Sequence, residues 1–190
     1  MARPRDQPGS GVDLSDEDID HIARSAPLHD IGNAGAPDRI LLKPGRFTPE
    51  EFDVMKTHTT LGRDAIAAAE KQLGKEVDFL RHAKDIALYH QEKWDGSGYP
   101  EGLSGDAIPI SARLMAVADV YDALISVRPY KRAMTHDEAL AFIRDGSGSH
   151  FDPDIVDAFL ACEAEVLAIA QRYADPLESL QPLIPKESTA

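Results

Sequence analysis

The chain has 190 residues, enough for one domain with its own core, and 33 acidic residues against 20 basic ones give it a formal net charge of −13 at pH 7. That field disfavours nucleic-acid polymers and anionic membrane surfaces, so an anionic substrate has to be drawn in by a local basic cluster or by metal ions. A single cysteine, Cys162, excludes an intrachain disulfide and fits a reducing cytoplasm, and neither a membrane-length apolar run nor a signal-peptide pattern is found.

In chain order, residues 1–12 are rich in Pro, Gly and Arg and read as a disordered leader. Ser15 with Asp18 three residues on resembles a capping box and predicts a helix running toward His29, bent or interrupted by Pro27. His21 on this helix reads as exposed. His29 and Asp30 fall where the helix gives way to a glycine-containing loop at 32–37. An imidazole and a carboxylate there can reach one metal ion, or can be a packed histidine beside a capping aspartate. Thr48, Pro49 and Glu51 mark a second helix start. From there Val54, Met55, Leu61 and Ile66 are spaced as a buried stripe as far as Gly74, which turns His58 inward as a satisfied core histidine or a ligand. Residues 76–92 predict a further helix, on which His90 follows Phe79, Ala83 and Ile86 at helical spacing and faces the core, while His82 and Asp85 point elsewhere and read as structural.

The stretch YHQEKWDGSGYPEGL at 89–103 joins the polar end of that helix to a loop holding Gly96, Gly98, Pro100 and Gly102. Its rings, Trp94 and Tyr99, either pin the loop to the core or stack on a planar ligand. Residues 108–126 form the most apolar predicted helix; Asp119, among Ala112, Met115, Ala116 and Ala123, falls on a buried face and needs a cation, metal or arginine, nearby. Asp122 shares part of that face. Arg128, Tyr130, Lys131 and Arg132 then make the densest basic patch, a solvated turn or a phosphate-facing one. Thr135 and Glu138 cap another helix, Gly146 to Gly148 break it, and Asp152-Pro153 open a last long helix ending near Asp175, before a tail at 176–190. Without strand-like alternation or internal repeat, the fold class is all-α. His29, Asp30, His58, His90 and Asp119 come from four separate helices, the pattern of a metal site inside a helical bundle; nitrogen and oxygen ligands without thiolate favour Fe, Mn, Zn or Mg.

HDIG at 29–32, MKTH at 55–58, HQEKWDGSGYPEGL at 90–103, ADVYDAL at 118–124 and RPYK at 128–131 resemble, in order and spacing, the motifs of the HD-GYP domain, a branch of the HD phosphohydrolases that hydrolyses the bacterial second messenger cyclic di-GMP. The resemblance implies an HD-type helical bundle over 13–175, with a metal centre of Fe or Mn in its core and a glycine-rich GYP loop, and hydrolysis to the linear dinucleotide or GMP. It matches His29, Asp30, His58, His90 and Asp119 to metal ligands, and Tyr99, Arg128 and Lys131 to residues that hold guanine or phosphates. Three departures stand beside it. Asn33 takes the place of the family's lysine next to the catalytic Asp30. Gln91 replaces a second histidine and is a poor ligand, which leaves two metal sites at best. The family's upstream helix, with its own histidine ligand, is expected to be missing, and His21 has the wrong spacing to replace it. These departures imply an alternative, a non-catalytic module that binds cyclic di-GMP or a partner such as a diguanylate cyclase or regulatory domain on another chain.

Overall fold

The computed structural model describes residues 14–75, 77–126 and 132–173. The leader at 1–12, the tail at 176–190, and Arg128, Tyr130 and Lys131 of the basic loop lie outside the described residues.

Local signals set the helix starts. Ser15 accepts the N–H of Asp18 while the Asp18 carboxylate accepts the N–H of Ser15, and this reciprocal box opens α1 (Asp16–Ser25). Pro27 ends it as expected, since proline lacks the N–H that an α-helix interior needs. The chain goes on through a 3-10 turn, Ala26–Leu28, to His29 and a second 3-10 turn, Ile31–Gly35. After a single turn, α2 (Asp38–Leu41), the expected box of Thr48 and Glu51 opens α3 (Pro49–Lys56), followed by α4 (His58–Leu73) and α5 (Asp78–Tyr89). The long loop leads to α6 (Ile110–Ile125); the box of Thr135 and Glu138 opens α7 (His136–Asp145), and Asp152 caps α8 (Pro153–Ala161), which precedes α9 (Glu163–Tyr173). No strand occurs among the described residues beyond one isolated bridge between Ser147 and Phe151, so the all-α reading holds.

The central helix is α5, which packs against α1, α4 and α6. Its alanines explain the close fit: Ala83 and Ala87 are fully buried and form a cluster with Ile66 of α4. A larger core joins α6, α7 and α8 through Val117, Tyr121, Ile143, Phe151 and Val156. Each fully buried side chain of this kind contributes about 1.5–3 kcal/mol. The turn carrying His29 and Asp30 is pressed onto the start of α4, where a Cβ on Gly32 would lie 1.9 Å from the carbonyl oxygen of His58. Only glycine permits that approach.

Four expectations need correction. The stripe expected through Val54, Met55 and Leu61 is broken at Thr57, whose hydroxyl donates to the carbonyl of Val54 and ends α3. The buried face of α4 is His58, Thr59, Gly62 and Ile66, while Leu61 is exposed and covers Gly35. The helix expected over 76–92 is shorter: Val77 is extended at its start and His90 already caps its end. The last long helix is two, separated at Cys162. His82 does not point away from the interior; it is buried, with Nε2 3.3 Å from Asp18 Oδ1, and so keeps the structural role expected of it by tying α5 to α1.

The long loop is fastened near its start. Trp94 N–H donates to His150 O (3.1 Å) and Asp95 N–H to Ser149 O (2.9 Å). The Trp94 ring faces the Arg113 guanidinium at 5.7 Å, and Arg113 is bound to Asp152 at 2.7 Å in a buried ion pair. Trp94 therefore pins the loop to the α6–α8 core.

Candidate metal centre

Three histidines arrive by three different local devices and are set in the same tautomer. His29 follows the 3-10 turn and its Nδ1 lies 2.8 Å from Ala26 O; His58, the first residue of α4, has Nδ1 2.7 Å from Met55 O; His90, at the end of α5, has Nδ1 3.0 Å from Ile86 O. A carbonyl oxygen only accepts, so each Nδ1 carries the proton and each Nε2 is left with a lone pair.

Those lone pairs converge on carboxylates. Asp30 Oδ1 is 3.5 Å from His58 Nε2 and 3.7 Å from His90 Nε2, and Oδ2 is 3.7 Å from His29 Nε2. His29 Nε2 is also 3.7 Å from Asp119 Oδ1, and the Nε2 atoms of His58 and His90 are 3.3 Å apart. The ligand atoms of Asp30, His58 and His90 all lie within 4.8 Å of one another. A cluster made only of acceptors repels itself unless a positive charge stands among them. Two donors each about 2.1 Å from one ion sit roughly 3–4 Å apart, so these spacings fit a divalent cation. His90, wholly buried at its side chain, cannot easily supply the charge by taking a proton: burial first, and then the neighbouring His58 and His29, push its pKa down to about 4. The set offers a divalent metal nitrogen and oxygen donors without thiolate, and the structure brings together all five residues that the spacing singled out. Asp119 departs from expectation in one respect: its side chain keeps 29% of its exposure, so it stands at the rim of the centre and not deep in the core.

Tyr99 closes one side. Its ring stands edge-to-face with His58 at 6.4 Å, and burial together with the nearby Asp30 and Asp119 carboxylates pushes its pKa up to about 12, which keeps it a neutral hydroxyl donor. Gln91 contributes to the loop through its carbonyl oxygen, which accepts the N–H of Tyr99 at 3.2 Å. Asn33 lies on the turn after Asp30, and its Oδ1 is buried without a hydrogen-bond partner among the described residues. His21 is half-buried and faces His82, 6.3 Å away.

Two residues here escaped the sequence reading. Glu92 is 2% exposed and its Oε1 accepts the N–H groups of Glu101 (2.7 Å) and Gly102 (3.0 Å), which holds the far side of the loop against the end of α5. Phe52, on α3, is 42% exposed and meets Tyr99 at a ring separation of 5.8 Å and an angle of 86°. An acidic residue just before a glycine loop signals Glu92 only weakly, and nothing in the spacing signals Phe52.

Comparison with known proteins gives the same picture. The HD-domain family profile matches residues 6–155. Among curated proteins, the chain is 55% identical over 170 residues to a probable cyclic di-GMP phosphodiesterase of Vibrio cholerae (90% of this chain, 38% of that protein). It is 59% identical over 157 residues to a cyclic di-GMP phosphodiesterase of the same organism (83% and 32%). It is 46% identical over 162 residues to a cyclic di-GMP phosphodiesterase of Thermotoga maritima (85% and 42%). The chain thus spans between 32% and 42% of the length of these relatives. With the HD pair, the GYP loop and a gathered His/Asp cluster all in one helical core, the chain belongs to the HD-domain family, in its HD-GYP branch.

Proposed function

We propose that this chain, through a domain spanning 13–175, is a metal-dependent phosphodiesterase module that hydrolyses cyclic di-GMP in the bacterial cytoplasm. The observation that carries this reading is the convergence of three Nε2 lone pairs on Asp30 and Asp119. His58, His90 and Asp30 Oδ1 would hold one divalent ion, and His29, Asp119 and Asp30 Oδ2 a second. Iron or manganese suits this donor set, which contains no thiolate, and Gln91 offers only an amide toward a third. Divalent ions held there supply Lewis acidity toward a phosphodiester and activate water near neutral pH. The protein's own part is orientation. The carbonyls of Ala26, Met55 and Ile86 hold the imidazoles in one tautomer, and Asp30, shared by both halves of the cluster, fixes their separation. The neutral Tyr99 hydroxyl donates to a substrate oxygen, Arg128 and Lys131 neutralise phosphate charge, and Asn33 offers an amide where the family has an ammonium. Hydrolysis yields the linear dinucleotide or GMP.

The test is metal content and turnover in one protein. Purified without oxygen and loaded with Mn²⁺ or Fe²⁺, the parent should hold metal and convert cyclic di-GMP to a chromatographically resolved product. His90→Ala and Asp119→Ala should each lose metal and at least about a hundredfold in rate. Nucleotide binding without product in the metal-loaded parent would replace the enzyme by a binding module.

A further inference from the structure

Exposed aromatic rings beside a polar centre call for a use, and Phe52 is the exposed ring next to this one. The α3 helix carries it to the lip of the site: Tyr99 stands between Phe52 (5.8 Å, 86°) and His58 (6.4 Å, 82°), so the three rings form a continuous series from the cluster outward. Phe52 and Tyr99 are mutually perpendicular, and two such rings make a corner in which a planar heterocycle laid on one is met edge-on by the other. One turn further along α3, Lys56 Nζ lies 5.2 Å from the centre of the Phe52 ring, with Asp53 holding the ammonium at 2.6 Å. The rim of the corner therefore presents the Lys56 ammonium beside the exposed Asp53 carboxylate. Guanine offers two adjacent acceptors, O6 and N7, whereas adenine sets an amino donor in place of O6. An ammonium favours the first and is opposed by the second.

From this we infer that Phe52, Tyr99 and Lys56 form a base subsite that takes one purine of the dinucleotide, with Phe52 as the stacking surface and Lys56 selecting guanine over adenine. The inference rests on the reading of the centre as a cyclic dinucleotide site and adds to it which residues on α3 set the base. In a chain of net charge −13, stacking gives affinity that does not depend on overcoming the whole-molecule field.

The experiment uses the full 190-residue chain loaded with Mn²⁺, and three probes: cyclic di-GMP, cyclic di-AMP, and bis(4-nitrophenyl) phosphate, which has the scissile diester and no purine. Phe52→Ala should weaken calorimetric binding of cyclic di-GMP about tenfold, and should lower selectivity for cyclic di-GMP over bis(4-nitrophenyl) phosphate in kcat/KM by a similar factor. Phe52→Trp should restore both. Lys56→Met should reduce the preference for cyclic di-GMP over cyclic di-AMP about tenfold, and Lys56→Arg should keep it. Parent-like affinity in Phe52→Ala overturns the subsite, and so does an equal loss on the purine-free diester, which would make Phe52 a support for the centre. A parent that hydrolyses neither diester yet binds cyclic di-GMP refutes the enzyme and leaves the subsite to be decided by the affinities. A parent that binds no nucleotide refutes both.

Discussion

Glu92 shows how one side chain can govern a loop that it precedes. Its Oε1 takes two backbone N–H groups, nine and ten residues further on, while its Oε2 is buried with no hydrogen-bond partner among the described residues. A carboxylate is desolvated here, and the charge-assisted bonds to Glu101 and Gly102 must offset that cost. Removing it leaves those donors without their acceptor and frees the segment that carries Tyr99. Glu92→Ala is expected to lower stability by about 2–3 kcal/mol in urea titrations and to raise the KM for cyclic di-GMP. Glu92→Gln, which retains an acceptor oxygen for the same donors, should cost only about 1 kcal/mol. The chain's single tryptophan, Trp94, sits in the loop and reports its loosening by fluorescence; an alanine variant as stable as the parent, with unchanged emission, would show that the two bonds hold nothing. The contrast with His58 and His90 explains what the sequence could reveal. His90 follows apolar residues of α5 at helical spacing, and periodicity turned it inward correctly; His58 is buried as expected, but as the first residue of a new helix. Glu92 acts on backbone groups across a loop, a relation that has no period.

At the scale of elements, the centre depends on how closely the turn with His29 and Asp30 can approach the helices α4 and α5. Both the turn with His29 and Asp30 and the start of α4 with His58 are helix ends, where the carbonyls of the preceding turn are available to accept a histidine Nδ1–H. That is why Thr57 matters: by ending α3 one residue before His58, it leaves the carbonyl of Met55 facing the imidazole. The sequence concealed this break, because the apolar spacing runs on past Thr57 and the capping pattern at Thr48 predicts a start but not a stop. It also placed Asp119 too deep, because the alanines around it line a helix face that borders the centre as well as the core. The contact that sets the cluster's width is Gly32 against His58. Gly32→Ala would drive a methyl group into a backbone carbonyl, and backbone cannot move aside as a flexible side chain can. We expect a loss of about 3 kcal/mol or more in stability, together with loss of bound Mn²⁺ even under conditions where the variant remains folded by circular dichroism. Retention of stoichiometric metal would mean that the turn and α4 can separate without spreading the ligands.

Across the whole molecule, the cluster is where separate parts of the chain meet: the turn after α1, the start of α4, the end of α5 and the middle of α6 each contribute. The centre thus connects the helices around α5 with the α6–α8 core, and a cation held there cross-links segments that the chain brings together only when folded. An ion that binds the native state and not the unfolded one stabilises by mass action, by about 4 kcal/mol when its concentration is a thousand times its dissociation constant. For a chain of this size that corresponds to a rise of roughly 10 °C in Tm. With a net charge of −13, any divalent salt also relieves repulsion among surface carboxylates, so a rise in Tm is not by itself a sign of the centre. The two effects separate by residue. Surface screening acts on the parent and on His90→Ala alike and is produced by Ca²⁺ as well as by Mn²⁺. Binding at the centre is lost in His90→Ala and is reversed by a chelator in the parent. Scanning calorimetry of both proteins in Mn²⁺, Ca²⁺ and EDTA should therefore show a manganese-specific increment in the parent alone. Equal increments in the two would assign the stabilisation to the acidic surface and remove the argument that the cluster is a cation site.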